Sequence, residues 1–455
     1  MTTGARGAYI ILDNQLDSKR SKFEVSDEQQ HIRTVHEERN QEAQMMIAQS
    51  LIKHIHSLLI TVLKFKLPTD KLLSNFFKEH RRLGSNDRHI VAETIYTILR
   101  NYFKLSRIFG NDYLKFIKFT WLNLLTPDNA FQNAMSKVNF DEINKVNIDS
   151  FNQDIPELPD WIYTKLVSQM GKDETIRFCH ALEQTAPLDL RVNLIKVNRK
   201  TVLSRLELEG LNPVATSFSP FGIRLYNKTF LTKHPLFIEG QIEVQDESSQ
   251  LAGLLLHPKR GEMVVDFCAG SGGKTLLLGM LMHNTGRVYA FDVHEKRLNN
   301  LGPRLKRSGL SNIHPQLIAH ENDIKVKRLH NKIDKVFVDA PCLGFGTLRR
   351  NPDLKFRQTE ASLFEITKKQ LSILNAASKL VKTGGFLTYA TCSILKEENQ
   401  DIVNQFLESN PNFKLIPANT ILNNPELNRD DGYLVLLPHI HHTDGFFAAL
   451  LQRQV

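Results

Sequence analysis

Apolar residues in the first third of the chain recur at the spacing of an amphipathic helix. Between Ala43 and Ile117 they follow one another at intervals of three and four residues, which places them on one face of a helix. Asp87 stands where a helix cap belongs. The pattern predicts a helical domain. Its clearest apolar run comprises Val91, Ile95, Ile98, Leu99 and Tyr102.

The segments on either side of this region lack that periodicity. Residues 1–40 are polar and charged, which predicts a mobile arm. Residues 125–159 are rich in Asn, Asp and Pro and predict a long connector with one short helix. Residues 189–243 show strand-like alternation around a helical stretch, 200–211, that ends at Gly210. This last pattern predicts a small α+β module.

Beyond Gln250, short apolar segments alternate regularly with helical ones, which predicts an α/β domain with a parallel, doubly wound sheet. Two later apolar segments, Leu434–Pro438 and Phe446–Leu451, predict an antiparallel hairpin that closes the sheet edge. The predicted parallel strands are Met263–Phe267, Arg287–Asp292, Pro315–Ala319, Lys335–Val338 and Phe386–Thr391. The predicted domains are the arm 1–40, the helical domain with its connector 41–165, the α+β module 166–240 and the α/β domain 241–455.

Composition narrows the class of protein. The 455 residues suffice for two or three domains, and a formal net charge of +9 favours a polyanionic partner such as nucleic acid. The best candidate for a membrane span, residues 58–67, is short and interrupted by lysines. Four widely spaced cysteines without a CxxC unit fit neither a disulfide framework nor a zinc site, so we expect a cytoplasmic protein without a metal. These cysteines are Cys179, Cys268, Cys342 and Cys392.

A glycine-rich loop follows the first strand of the α/β domain, in the segment Asp266–Thr275. In doubly wound sheets, ligands bind at such turns, outside the carboxyl ends of the strands. A Walker loop would need glycine at Cys268, and a dinucleotide loop would need a third glycine at Thr275. Asp292 ends the second strand, where a carboxylate can accept hydrogen bonds from ribose hydroxyls. The loop therefore predicts an adenosine-containing cofactor.

Three reactive side chains follow later strands of the same predicted sheet. Asp339 and Cys342 belong to the segment Asp-Ala-Pro-Cys at the end of the fourth strand, and Cys392 belongs to Thr-Cys-Ser at the end of the fifth. A buried cysteine is more often structural than reactive. Because parallel strands end at the same edge, however, we expect all three side chains to converge beside the glycine-rich loop.

The chain from about Leu190 onward resembles the RsmB/NOP/Sun family of RNA cytosine-C5 methyltransferases. Four segments carry the resemblance: residues 237–250 (FIEGQIEVQDESSQ), 266–275 (DFCAGSGGKT), 339–353 (DAPCLGFGTLRRNPD) and 391–393 (TCS). The resemblance implies a class I, Rossmann-like methyltransferase core with S-adenosylmethionine as methyl donor, and a preceding ferredoxin-like or RRM-like RNA module. Residues 83–88 (LGSNDR) further resemble the NusB-like domain of the family's ribosomal RNA members.

The resemblance also assigns roles to individual residues. It implies that Cys392 adds to carbon 6 of the cytosine, that Asp339 contacts N3 and the exocyclic amine, and that Cys342 acts in product release. The implied cofactor contacts are Cys268, Ala269, Gly270, Ser271, Gly272, Gly273, Lys274, Asp292, Asp323 and Asp339. A basic run after the catalytic strand predicts RNA-backbone contacts at Arg349, Arg350, Lys355 and Arg357.

The expected substrate is a cytosine in 16S, small-subunit ribosomal RNA, with transfer RNA as an alternative. A second hypothesis is a catalytically silent ribosome-assembly factor, which the presence of both Cys342 and Cys392 disfavours. A third, a nicotinamide-dependent oxidoreductase, requires a dinucleotide loop that the sequence lacks.

Overall fold

A computed structural model describes residues 48–455 except 126–131, 133–134, 137, 152–154 and 227–230. The predicted arm 1–40 lies outside the described residues. The described chain forms a helical region, a small antiparallel sheet and a larger mixed sheet.

The helical region confirms the predicted periodicity, with its apolar faces packed into one core. Asp87 is not the N-cap of its helix. The helix begins at Ser85, and Asp87 accepts a hydrogen bond from the backbone N–H of Gly84 at 3.2 Å, one turn before it. The helices are 48–62, Thr69–Glu79, Ser85–Arg100, Tyr102–Phe109 and Tyr113–Phe119, the last continued by a π-helical turn at Thr120–Leu124.

The predicted connector packs against this helical core. Its described part contains two short helices, Asp141–Asn144 and Ile148–Phe151, and the side chains of Ile143 and Phe151 are buried in the core. The sequence therefore predicted too few helices in the connector. Two further helices, Asp160–Met170 and Lys172–Glu183, lead into the next domain.

The α+β module is a four-stranded antiparallel sheet in the order β2-β3-β1-β4. One sheet face is apolar and packs on a helix, whereas the opposite face is polar and buried. On that polar face Arg224 forms a two-pronged ion pair with Asp189, at 2.7 and 2.8 Å. The sheet is thus not open for RRM-type base stacking. The elements are β1 (Leu188–Val192), the helix Arg199–Leu208, β2 (Val214–Ala215), β3 (Gly222–Leu225), the helix Pro235–Ile238 and β4 (Ile242–Val244).

The C-terminal domain confirms the predicted doubly wound sheet. Its strand order is β10-β12-β9-β8-β5-β6-β7, with β11 paired to β12. The strands are β5 (Met263–Asp266), β6 (Arg287–Asp292), β7 (Ile313–Leu317), β8 (Ile333–Asp339), β9 (Val381–Thr391), β10 (Phe413–Ile416), β11 (Leu434–Leu436) and β12 (Phe446–Arg453). The helices are Glu247–Leu256, Gly273–Leu281, Glu295–Asn299, Leu301–Ser308, Ile324–Lys327, Leu354–Arg357, Glu360–Ser378, Gln400–Ser409, Asn419–Leu422 and Pro438–His441, with 3-10 turns at Phe345–Thr347 and Pro425–Leu427.

The antiparallel hairpin and its position at the sheet edge are confirmed. Strand β12 pairs with β9 on one side, and on its other side β11 and β10 pair with successive parts of β12 and together form the edge. The sequence analysis missed β10, in which only Phe413 is fully buried and Lys414 interrupts the apolar residues. Strands β5, β6, β8 and β9 are parallel neighbours, so their carboxyl ends meet along one edge of the sheet.

Candidate active site

The loop after β5 is shaped by glycines in left-handed conformations. Gly270 and Gly272 have φ angles of +57° and +86°, which disfavour any side chain. A Cβ atom at Gly272 would also lie 2.1 Å from the side chain of Leu301. The backbone N–H of Gly270 donates to Asp292 at 2.8 Å, and the second oxygen of Asp292 accepts from the N–H of His294 at 2.7 Å. Asp292 therefore holds the glycine-rich loop against the end of β6.

A cavity of about 760 Å³ opens at the carboxyl ends of β5, β6, β8 and β9. The structure brings most of the predicted site residues together there. Gly272 is outside the lining because it faces Leu301. The predicted residues in the lining are Cys268, Ala269, Gly270, Ser271, Gly273, Lys274, Asp292, Asp339, Cys342 and Cys392.

Asp323 does not line this cavity and instead caps a helix. Its carboxylate accepts hydrogen bonds from the N–H groups of Lys325 and Ala319, both at 2.8 Å. Glu321 lines the cavity in its place. Although burial opposes the effect, hydrogen bonds from Lys369 and other groups lower the pKa of Glu321 to about 2. The structure thus places Asp323, a predicted cofactor contact, outside the cavity lining, where Glu321 is the carboxylate instead.

Lys274 and Asp339 form an ion pair inside the cavity, with Nζ and Oδ2 2.7 Å apart. Burial lowers the pKa of Lys274, but the attraction of Asp339 outweighs it and leaves that pKa raised. Lys274 is therefore a charged hydrogen-bond donor beside the Asp339 carboxylate. The sequence analysis assigned Lys274 to the cofactor loop and missed this pairing.

The two predicted reactive cysteines meet directly. The Sγ atoms of Cys342 and Cys392, fifty residues apart in the chain, are 3.0 Å from each other. The hydrogen bond with Cys392, together with burial, raises the pKa of Cys342 well above its ordinary value. Cys342 is therefore a protonated thiol at neutral pH, able to donate its S–H to the sulfur of Cys392. Cys268 is farther along the cavity, where burial raises the pKa of its thiol.

The backbone of Cys392 is fixed by a close approach of two glycines. Gly346 donates its N–H to the carbonyl of Cys392 at 2.8 Å, and Gly445 donates its N–H to the carbonyl of Gly346 at 2.8 Å. A Cβ atom at Gly346 would lie 1.9 Å from the carbonyl oxygen of Gly445. The helix that follows the Thr-Cys-Ser segment begins at Gln400, after a turn, so its amino end is eight residues along the chain from Cys392.

The predicted RNA-binding run is mostly engaged inside the protein. Lys355 is 3 % exposed and its Nζ lies 3.2 Å from Oε2 of Glu157. Arg349 is likewise buried, and its guanidinium faces Asp444. The predicted RNA contacts of Lys355 and Arg349 are therefore corrected, because a buried, paired cation presents no donor to a phosphate.

The other two members of the run are also paired. Arg350 donates to Asp444 at 2.7 Å and to Asp246 at 2.9 Å, and Arg357 pairs with Asp353 at 3.2 Å. Within this run, Arg350 also donates to the carbonyl oxygen of Pro187 at 3.0 Å and so links the C-terminal domain to the preceding module.

Two buried polar side chains beside the cysteines escaped the sequence analysis. Glu398 and Gln370 are both fully buried and hydrogen-bonded to each other at 3.0 Å. Glu398 follows the Thr-Cys-Ser segment closely, so the sequence could have indicated that it lies near Cys392. Gln370 lies within the long helix Glu360–Ser378, and nothing in the sequence indicates that it lies near the cysteines.

Within the described residues, no group of three or more His, Cys, Asp or Glu side chains has the arrangement of a metal site. In the same part of the chain, no helix is long and apolar enough to cross a membrane.

Two family models match this chain. Residues 253–452 match the 16S rRNA methyltransferase RsmB/F model, and residues 158–231 match the RsmF/B-like ferredoxin-like domain model. A probable ribosomal RNA small subunit methyltransferase B from Synechocystis is 37% identical over 300 residues, which are 65% of this chain and 66% of that protein. The matched part of the chain thus spans just under two thirds of this relative.

A eukaryotic relative and a solved structure are also similar to this chain. The human 28S rRNA (cytosine(4447)-C(5))-methyltransferase is 29% identical over 65% of this chain and 38% of its own length. The crystal structure of PH0851 superposes with a TM-score of 0.72 at 28% identity, covering 88% of this chain and 99% of that one. With its doubly wound sheet, glycine-rich loop and paired cysteines, the part of this chain at residues 158–231 and 253–452 belongs to the RsmB/F family of methyltransferases.

Proposed function

We propose that the protein transfers a methyl group from S-adenosylmethionine to carbon 5 of a cytosine in RNA, with small-subunit ribosomal RNA as the substrate. The observation that carries this proposal is the 3.0 Å approach of Cys342 and Cys392 in the cavity that also holds the Lys274–Asp339 pair. Cytosine carbon 5 is a weak nucleophile, and a thiolate that adds to carbon 6 makes it reactive. The ribosomal substrate is supported by the names of the relatives.

The cavity fits the methyl donor. Its volume of about 760 Å³ lies in the range of cofactor pockets, and it combines apolar walls with a few polar groups. Val293, Ile318 and Ile373 supply an apolar surface suited to an adenine ring, and Asp292 supplies a carboxylate for ribose hydroxyls. Gly270 and its neighbours let the backbone approach the ligand. When bound, S-adenosylmethionine supplies an electrophilic methyl group.

The first step is addition of Cys392. Its thiolate forms a bond to carbon 6 of the cytosine, and the electron pair of the C5–C6 double bond shifts toward carbon 5 and the ring. The protonated thiol of Cys342 donates to the Cys392 sulfur and stabilises the thiolate before addition. Asp339 accepts from the exocyclic amine, and the adjacent Lys274 ammonium stabilises negative charge that develops on the base.

The release step falls to Cys342. Its sulfur lies 3.0 Å from that of Cys392, close to the base that Cys392 holds. After passing its own proton to solvent, Cys342 takes the proton from carbon 5. The electrons of that C–H bond reform the C5–C6 double bond, the bond from carbon 6 to sulfur breaks, and Cys392 leaves as a thiolate.

The decisive experiment traps the covalent intermediate. Purified Cys342→Ala protein, incubated with cellular RNA and S-adenosylmethionine, is expected to retain a protein–RNA adduct on a denaturing gel. The adduct should disappear in Cys342→Ala/Cys392→Ala, and sequencing of the bound RNA identifies the target. Absence of an adduct, despite measured binding of RNA and S-adenosylmethionine, would favour a silent assembly factor.

A further inference from the structure

A buried carboxylate joins the two loops that carry the cysteines. One oxygen of Glu398 accepts a hydrogen bond from the backbone N–H of Leu343, the residue after Cys342, at 2.9 Å. Its other oxygen accepts from the hydroxyl of Ser393, the residue after Cys392. A single side chain therefore contacts the immediate neighbours of both reactive residues.

Gln370 supports the same arrangement from the opposite side. Its Nε2 donates to Glu398 at 3.0 Å and to the carbonyl oxygen of Pro341, the residue before Cys342, at 2.9 Å. The Cys342 loop is thus held on both sides of the cysteine. Glu398 and Gln370 are each 0 % exposed, so water does not compete for these bonds.

The main chain of Glu398 is itself fixed. Its carbonyl accepts from the hydroxyl of the buried Tyr389 at 2.6 Å. Burial raises the pKa of Glu398, and the hydrogen bonds from Ser393, Leu343 and Gln370 oppose that rise. Burying a carboxylate lowers the stability of the folded state unless the group is hydrogen-bonded. Glu398 lies beside the loops of the two cysteines but does not itself line the cavity.

We propose that Glu398 is a positioning residue that sets the separation of Cys342 and Cys392 by accepting hydrogen bonds from both cysteine loops. This inference rests on the proposed function of the two cysteines, but its geometric content is independent of methyl transfer. Glu398 does not line the cavity, so its loss should lower the catalytic rate and leave the binding of RNA and S-adenosylmethionine unchanged. A displacement near 1 Å is enough to lower a rate by about 100-fold.

The geometry can be measured without the reaction. Phenylarsine oxide condenses with two adjacent thiols, forming two As–S bonds and releasing one water. Wild-type protein should form a one-to-one complex that Cys342→Ser abolishes. Glu398→Ala should lose this complex, whereas Glu398→Gln, which keeps the shape and an acceptor for Leu343, should retain it. Glu397→Ala is the matched control, because Glu397 pairs with Lys165 at 3.0 Å and has no bond to either cysteine loop among those described.

Kinetics provide the second readout. We expect Glu398→Ala to lower kcat by about 100-fold with KM values unchanged, and Glu398→Gln to restore most of the rate. If Glu398→Ala fails to fold, Ser393→Ala takes its place, since it removes the donor on the Cys392 side and should weaken the arsenical complex.

Three results would overturn the inference. The first is a normal arsenical complex and rate in Glu398→Ala or, where that variant does not fold, in Ser393→Ala. The second is a Glu398→Gln variant that keeps the complex but is inactive, because charge rather than geometry would then be required. The third is an effect of the same size in Glu397→Ala. If the wild-type protein methylates no RNA, the proposed function fails, and the arsenical complex still decides the role of Glu398.

Discussion

Replacement of Lys355 by methionine should destabilise the protein without weakening its electrostatic attraction to RNA. The Lys355 ammonium lies 3.2 Å from Oε2 of Glu157 and also donates to the carbonyl oxygens of Glu157 and Arg100, at 2.9 and 3.3 Å. At this separation the attraction is about 5 kcal/mol for an effective dielectric constant near 20. Removing one partner of a buried pair typically costs about 3–5 kcal/mol.

The lower end of that range applies here. The Glu157 carboxylate keeps two hydrogen bonds without Lys355, from the backbone N–H groups of Lys104 at 2.8 Å and Phe103 at 3.1 Å. We therefore expect a loss of about 3 kcal/mol. In Lys355→Met/Glu157→Gln the uncompensated charge is gone, so part of the loss, about 0.5–3 kcal/mol, should be recovered.

The penalty should also depend on pH. Burial raises the pKa of Glu157, and loss of the cation raises it further. When the pKa of a carboxyl group is higher in the folded than in the unfolded state, the protein loses stability as pH rises from the unfolded pKa to the folded pKa. The destabilisation of Lys355→Met should consequently be smaller near pH 5 than near pH 8.

Urea unfolding followed by tryptophan fluorescence measures the effect. The two tryptophans of the chain report on the relevant region: Trp121 is buried in the helical core, and Trp161 packs edge-on against Phe345 of the catalytic domain. Lys396→Met is the control. Its ammonium is half exposed beside Asp401, so its loss should change stability by less than about 0.5 kcal/mol.

RNA binding at several salt concentrations completes the test. A phosphate contact contributes about 0.7–0.9 to the slope of log affinity against log salt, and Lys355→Met should leave that slope unchanged. This prediction is refuted if Lys355→Met unfolds like the wild type and the slope of log affinity against log salt falls by about 0.7–0.9.

Three further predictions concern the catalytic domain. Gly346→Ala should lower the free energy of unfolding by about 1–3 kcal/mol and abolish formation of the Cys392 adduct, because its Cβ would collide with a carbonyl oxygen. Gly302→Ala is the control, and with open space around its Cβ it should be neutral in thermal unfolding. Burial raises the pKa of Asp266 to about 7, so this carboxyl group binds its proton more tightly in the folded state than in the unfolded state. Its contribution to stability is therefore lost as pH rises to that value. Asp266→Asn should lack this loss when unfolding is compared near pH 5 and pH 8. Asp292→Ala should raise the Kd for S-adenosylmethionine about 10- to 100-fold in calorimetric titration, and a comparable effect of Asp323→Ala would contradict the cavity geometry.

Much of the catalytic domain followed from local sequence pattern. The alternation of short apolar segments with helical ones specified parallel strands, and parallel strands place their carboxyl ends together. For that reason the convergence of Asp339, Cys342 and Cys392 was predictable, and the cavity contains all three. The glycines of the loop after β5 were also predictable, since glycine adopts the positive φ angles found there without a steric cost.

The partners of charged side chains were not predictable in this way. The basic run that includes Arg349 and Lys355 is locally indistinguishable from an exposed one, and its burial depends on Asp444 and Glu157, which are distant in the chain. The role of Gln370 arises only because a long helix packs across the ends of β8 and β9. Strand β10 was missed for a related reason, because Lys414 interrupts its apolar residues and its pairing with β12 is not visible in the local pattern.

The sequence by itself determined the alternation of strands and helices, the parallel sheet and the convergence of Asp339, Cys342 and Cys392 at one edge of it, because hydrophobic periodicity and glycine placement act within a few residues. Only the tertiary structure decided which charges are buried and which carboxylate joins the two cysteine loops. Those outcomes depend on contacts between segments far apart in the chain, whose desolvation and hydrogen bonding no local pattern encodes.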